Sequence, residues 1–392
     1  MIKIAVVTHY FPSSAEPWQG RSAYQQLLEM SKRAEARVFY PHAAYPDFLR
    51  RWTKASNNFD AFYSPPEVNV RYYDYPALPV LSRPCNGWLA ARALLPHVRN
   101  FAPDVIYSYV LYPDGYAALQ IGKALGVPVV AKSIGSDVNR ITNPIARMHT
   151  RTVLREADFL ISVSEDMRKK MVTMGAALEK TRAVVNGCDL SVFHVRDRKE
   201  ARSQLGLNPA AEVVVYVGRL DIKKGLRELV QAAASLHPSR PHLQVYMVGD
   251  GPDKGVIEQE IQAANASSYV HIMKGCSFDE VAIWMAASNL FTLPSYMEGC
   301  PNVVVEALAC GRPVVASRVG GIPEIMDEES GRFVSPCQAS DLARGLNSAL
   351  DAQWDEHAIS AQWSRGWSVG ADIVLDILSS VVAKRKAEKS GR

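Results

Sequence analysis

At 392 residues the chain is longer than a single hydrophobic core serves well, so two domains are expected. Apolar residues make up 48% and charged residues 21%, the proportions of an ordinary soluble globular protein. A net charge of +4 is small for this length; it argues against a dedicated nucleic-acid binder and leaves room for local basic patches.

The first element is a buried strand in MIKIAVVTHYF, an apolar run too short for a signal sequence. His9 ends it and is expected to face a ligand cleft. Gly20 follows in HYFPSSAEPWQGRS, where a glycine suits either close approach of backbone to a ligand or an ordinary turn. The segment from Tyr40 to Arg83 reads as irregular. Within it, YPDFLRRWTK mixes Phe48 and Trp52 with Arg50, Arg51 and Lys54, as an amphipathic helix packed on its own domain or one lying on an anionic membrane would. The apolar runs DVIYS, VPVVA and DFLISVS continue a strand–helix rhythm. In VVAKSIGSDVNR, Asp137 either faces the cleft or caps the following turn. His149 lies on a helix and reads as surface or structural.

Residues 186–200 read as an interdomain connector, and the rhythm restarts near Glu212 with VVVYVG, LQVYMVG, NLFTLPS and RPVVAS. Strands apolar on both faces belong in parallel sheets covered by helices, so the expected fold is α/β, with two Rossmann-like halves facing a central cleft. The expected boundaries are 1–190 and 191–365, followed by a closing stretch, 366–392. That last stretch carries an apolar stripe through Ile373, Val374, Ile377, Leu378, Val381 and Val382. The basic residues Lys384 to Lys386 and Lys389 read as a solvated, frayed end. The six cysteines are scattered, as reduced thiols of a cytosolic protein would be, with neither disulfide nor zinc spacing. No run reaches the roughly 20 apolar residues that cross a bilayer. The expected location is therefore cytoplasmic, with contact to the inner face of the membrane through the mixed basic and aromatic segment.

The chemistry concentrates in LPSYMEGCPNVVVEALACGRPVVASRVGGIPEI, from Leu293 to Ile325. Glu298 sits in a Gly/Pro-rich loop, and Glu306 sits in an apolar helix that has no packing use for a carboxylate. Such a carboxylate wants hydroxyl or cationic partners, and sugars supply hydroxyls. The loop EGCPN feeds backbone N–H groups into a helix start, which favours an anion such as a diphosphate. Upstream, VGRLDIKKGL delivers Arg219 and Lys224 to the carboxyl end of a strand. VGDGPD, with Gly249 and Gly251, fails the dinucleotide fingerprint but suits a tight turn beneath a nucleotide.

Together these segments resemble the retaining glycosyltransferases of family 4, which have the GT-B fold. The likeness covers nearly the whole chain and is strongest from Val213 to Ile325, and it implies that the helix in 366–392 crosses back and packs on the first domain. It rests on the Glu-x7-Glu signature at Glu298 and Glu306, the G-R-L-x-x-x-K-G segment and the G-x-G-P turn. The resemblance implies that Arg219 and Lys224 neutralise the donor diphosphate and that Glu306 binds the ribose hydroxyls. Glu298 would lie against the donor sugar, either positioning it or stabilising an oxocarbenium-like transition state. Gly299, Cys300, Pro301, Asn302 and Val303 would hold sugar hydroxyls and phosphate, with Gly249, Gly251 and Gly275 around the nucleoside. Gly20, His9 and Asp137 fall on the acceptor side. Many relatives carry a histidine where this chain has Ile134, so that sugar contact is absent here.

The implied activity is metal- and cofactor-free transfer of a hexose-type sugar from a UDP- or GDP-sugar, with retention, to a saccharide or lipid-linked acceptor. Synthesis of a cell-surface polysaccharide or glycolipid is the expected setting. A sugar-nucleotide epimerase and a non-catalytic nucleotide-sugar binder are the alternatives; a PLP-dependent phosphorylase is disfavoured by the chain's length.

Overall fold

The computed structural model describes residues 1–46, 60, 62–139, 141 and 143–390. Phe48, Arg50, Arg51, Trp52 and Lys54 lie outside the described residues. The chain divides into two compact units, Met1–Asn186 with Trp367–Arg392, and Gly187–Gly366.

In the first unit, β1 (Lys3–Val7), β2 (Glu35–Ala44), β3 (Asn69–Pro76), β4 (Val105–Ser108), β5 (Val129–Ser133), β6 (Phe159–Ser162) and β7 (Thr181–Ala183) form one parallel sheet. Its order is β3-β2-β1-β4-β5-β6-β7. The alternation of side chains along β1 decides its two cores. Ile4 and Val6 pack with Leu27 and Met30 on one face, whereas Ala5 and Val7 pack with Leu94 and Val98 on the other. The first of these layers is completed from the far end of the sequence. Val374, Ile377, Leu378 and Val382, on the helix Trp367–Ser390, belong to the same core as Ile4 and Leu27.

Two expectations are corrected here. The stretch from Tyr40 to Arg83 is not irregular throughout, since β2 runs to Ala44 and β3 fills Asn69–Pro76. β3 is an edge strand, half solvated and rich in Tyr, so its sequence lacks the apolar run that marks a central strand. Nor does the basic tail fray. The last helix runs to Ser390, Lys386 lies 3.5 Å from Asp104, and Lys389 donates to the Gly126 carbonyl at 3.2 Å.

In the second unit, β8 (Glu212–Val217), β9 (Leu243–Val248), β10 (Val270–Met273), β11 (Leu290–Leu293), β12 (Val314–Ser317) and β13 (Gly331–Val334) form a second parallel sheet. The order is β10-β9-β8-β11-β12-β13. In each sheet the chain builds outward on one side, then returns to the middle and builds the other way. The reversal falls between β1 and β4 in the first unit and between β8 and β11 in the second. Loops leaving the carboxyl ends of such paired strands diverge and leave a crevice, the usual ligand site of open α/β sheets. Among the described residues, no helix is long and apolar enough to cross a membrane.

Candidate active site

At the reversal point of the second unit, the loop after β8 carries Arg219 and Lys224, and the loop after β11 carries Glu298. Lys224 Nζ lies 2.6 Å from Glu298 Oε1, with the two side chains only 24% and 10% exposed. Two backbone ties hold the loops together. Tyr296 N donates to the Lys223 carbonyl at 2.9 Å, and a side chain at Gly225 would strike the Pro294 carbonyl. Arg219 is exposed and makes no ion pair with any described residue. Its carbonyl is held by Tyr216, whose buried hydroxyl donates to it at 2.8 Å. Burial, then the nearby charges of Glu298 and Asp221, push that phenol's pKa far up, so it stays a donor.

The backbone of Glu298 is fixed from below. Gly320 has φ 54°, and a Cβ there would come within 2.1 Å of the Glu298 carbonyl, while Gly321 N donates to the Gly299 carbonyl at 2.7 Å. Glycine is therefore required for the two turns to stack. Gly299, Cys300 and Pro301 lead into the helix Asn302–Ala309, whose N-cap is Pro301, a residue with no side-chain acceptor to offer. No side chain at the N-cap position competes for this helix start, which suits an oxyanion. One turn on, Glu306 is half-buried between Val305 and Ala307. Its charge is felt by two thiols. Cys310 is pushed up to about 12 by burial and by Glu306, and Cys188 is raised by the same pair of causes.

Gly249 and Gly251 have a different reason to be glycine than the sequence suggests. A Cβ at Gly249 would sit 1.9 Å from the Gly218 carbonyl, and one at Gly251 would sit 2.3 Å from the Leu220 carbonyl. The two turns press on one another, with Leu220 N donating to the Asp250 carbonyl at 2.9 Å. Gly275 lies beside them, its Cβ position 3.9 Å from the Gly249 Cα.

At the reversal point of the first unit there is a cavity of about 380 Å³, lined by His9, Tyr10, Arg83, Asn86, Tyr112 and Asp137 among others. His9 follows β1 and is oriented by Asp114, a fully buried carboxylate in the loop after β4. That carboxylate accepts both the His9 backbone N–H at 2.9 Å and its Nδ1 at 2.8 Å. Burial lowers the His9 pKa, but the charge and hydrogen bond of Asp114, with Glu16 farther off, outweigh it and leave it raised. Asp114 escaped the sequence reading because 105 residues separate it from His9; the only local sign was a buried acid in an apolar context, LYPDGY.

Asp137 is buried and saturated. It accepts from the Leu111, Ile134 and Gly135 amides and from Ser133 Oγ at 2.9–3.1 Å. It thus fastens the loop after β4 to the turn after β5, with burial raising its pKa against these bonds. Ile134 also lines the cavity, half-buried. Asn86 Oδ1 is buried there without a hydrogen-bond partner. Gly20, at φ 64°, is pressed by its own chain, since a Cβ would lie 2.3 Å from the Tyr10 carbonyl. His149 stacks on Tyr116 with ring centroids 4.1 Å apart, a packing role.

Two parallel α/β units, each with polar groups gathered at its reversal point, and a last helix returning to the first unit make up the GT-B glycosyltransferase fold. Residues 19–187 match the Glycosyl transferase 4-like domain, and residues 197–363 match Glycosyl transferases group 1. The chain is 28% identical to TuaC of Bacillus subtilis (strain 168), a protein named for teichuronic acid biosynthesis, over 88% of each chain. It is 31% identical to D-inositol 3-phosphate glycosyltransferase 2 of Catenulispora acidiphila over 72% of each. Among solved structures, Anabaena Alr3699/HepE in complex with UDP-glucose superposes with a TM-score of 0.68 over the full length of both chains, at 19% identity, a likeness of fold. The chain belongs to the group 1 glycosyl transferases.

Proposed function

We propose that this glycosyltransferase moves a hexose-type sugar, with retention, from a UDP- or GDP-sugar to a hydroxyl of a saccharide or lipid-linked acceptor. The setting is synthesis of a cell-surface polysaccharide or glycolipid, on the cytoplasmic side of the membrane. The observation that carries the donor assignment is the grouping of Arg219, Lys224 and Glu298 at the reversal point of the second sheet, beside a helix start that lacks a side-chain cap. As the glycosidic bond breaks, charge grows on the diphosphate. Two fixed cations and oriented amides stabilise that charge without a metal ion. Lys224 then exchanges its Glu298 partner for phosphate, which frees the carboxylate to face the sugar. The interval between Glu298 and Glu306 supports retention, and the HepE complex, which holds UDP-glucose, supports a uridine donor. The name of TuaC supports a surface polymer.

The test is thermal unfolding against a panel of UDP- and GDP-sugars, with Arg219→Ala and Glu306→Ala alongside. A donor at 100 times its dissociation constant stabilises by about 2.7 kcal/mol, and both variants should lose that shift. Transfer of the identified sugar should survive EDTA and give a product with the donor's anomeric configuration. Release of an isomerised sugar nucleotide without any acceptor would instead make the protein an epimerase.

A further inference from the structure

We propose that the face of the first unit around the mouth of the His9 cavity docks on an anionic lipid bilayer, so that the head group of a membrane-held acceptor enters the cavity. This deepens the reading of a lipid-linked acceptor and rests on it for the cavity's role alone.

Two surface segments contribute to the cavity lining, one with Arg83 and Asn86 and the other with Asn143 and Ala146. Both segments are anchored to the same aromatic pair. Tyr112 donates to the Arg83 carbonyl at 2.6 Å, and a Cβ at Gly87 would touch the Tyr116 ring, against which His149 stacks from the other segment. Outward from these anchors the chain displays large apolar side chains. Leu78, Val80 and Leu81 precede Arg83, Trp88 follows Asn86, and Ile145 and Met148 flank Ala146; all six are exposed, Leu81 to 78%. The turn that holds the first three is built, since Ser82 caps it by donating through both N and Oγ to the Leu78 carbonyl at 3.1 and 2.9 Å. Single exposed apolar residues are ordinary on a soluble protein, but six of them on the two short segments that line one cavity are not.

The charge of these two stretches of sequence points to the occupant. No Asp or Glu occurs in residues 75–103 or 138–155, while Arg83, Arg92 and Arg99 fall in the first stretch and Arg140, Arg147, Arg151 and Arg155 in the second. Arg83, Arg92, Arg147 and Arg151 make no ion pair with any described residue. Arg92 lies over the Trp88 ring, 4.9 Å from its centroid, a pair that can seat the indole at head-group level and the guanidinium on phosphate. A second copy of this chain fits badly, because a symmetric contact would set arginines against arginines with no carboxylate between them. A bilayer with anionic lipid takes both the apolar side chains and the arginines.

The test uses the full-length protein in vesicle flotation at low ionic strength, with phosphatidylcholine alone and with about one-third phosphatidylglycerol. The paired variants are Leu81→Ser with Trp88→Ser, and Arg92→Glu with Arg147→Glu; none of the four residues lines the cavity or belongs to the donor site. The native chain should float with the anionic vesicles and much less with the neutral ones. Each pair should lower its partition coefficient at least about tenfold. The thermal midpoint and the donor-induced shift should stay native, which separates lost docking from lost folding. Three outcomes overturn the proposal: no flotation of the native chain, flotation equal in native and variants, or a native dimer in sedimentation that the variants dissolve. Loss of the donor shift with flotation intact would sink the transferase reading and leave this one standing.

Discussion

With its Nζ 2.6 Å from Glu298, Lys224 neutralises a carboxylate that is almost buried, so its removal does two things at once. On the proposed donor reading, it takes a cation from the diphosphate and strands a charge beside the sugar. A charge-assisted bond is worth about 1.5–3 kcal/mol, so Lys224→Ala should lower kcat/KM by roughly ten- to hundredfold or more. Arg219→Ala, which leaves no carboxylate unpaired, should fall at the lower end of that range in steady-state transfer assays. Equal losses in kcat and kcat/KM for both would show that the cations act on the leaving group in the transition state. His9 offers a second prediction, on stability. Its folded-state pKa is raised by Asp114, so the ion pair contributes fully below the unfolded value of about 6.5. The contribution fades as pH rises through the folded value, where the imidazole loses its charge. The thermal midpoint of His9→Gln should therefore fall furthest below native near pH 6 and approach it toward pH 9. A gap that does not change with pH would mean that the charge on His9 adds nothing.

Among elements, the turns after the strands set the site, and they were legible in the sequence to the degree that they are contiguous. Arg219, Lys224, Glu298 and Glu306 all stand within short segments whose glycines and prolines mark the turns. Tyr216 was not legible, because VVVYVG reads as a plain apolar strand and the hydroxyl finds its partner only when the following loop folds back. Lys132 escaped notice for the same reason. It lies buried in β5, donating to Gln26 Oε1 at 3.2 Å and Asn186 Oδ1 at 3.1 Å, partners 106 and 54 residues away. The second unit has a comparable buried group that no local pattern in its sequence singles out. Arg312, at 0% exposure, pairs with Glu356 at the start of the helix Glu356–Trp363 and donates to the Ser288 carbonyl at 3.1 Å. Arg198 pairs with the same carboxylate. Removing one partner of such a pair leaves a charge in a dry site, which costs about 3–5 kcal/mol. Glu356→Ala should therefore lower the unfolding midpoint of the second unit sharply, in urea and on heating, while Glu356→Met paired with Arg312→Leu should recover much of the loss. A single variant that unfolds like the native chain would mean that the pair is solvated after all.

At the scale of the whole molecule, the first unit is not continuous in sequence: its core is closed by a helix that the chain adds only after the second unit is complete. Trp367, Val374, Leu375, Ile377, Leu378 and Val382 are all buried on that helix, and the last five share a core with residues as early as Ile4. At about 1.5–3 kcal/mol for each fully buried side chain, these six together supply on the order of 10 kcal/mol. A whole domain is stable by about 5–15 kcal/mol, so the first unit has no margin to lose the helix. The second unit, by contrast, is the unbroken stretch Gly187–Gly366 with its own sheet and core. A chain ended at Gly366 should thus separate the two. Hydrogen exchange should show amides of β1, β4 and β5 losing protection, whereas those of β8, β9 and β11 keep it and a bound donor still raises their protection. Retained protection in β1 and β4 would mean that the sheet and its remaining helices suffice, and that the returning helix covers a surface the first unit can leave open.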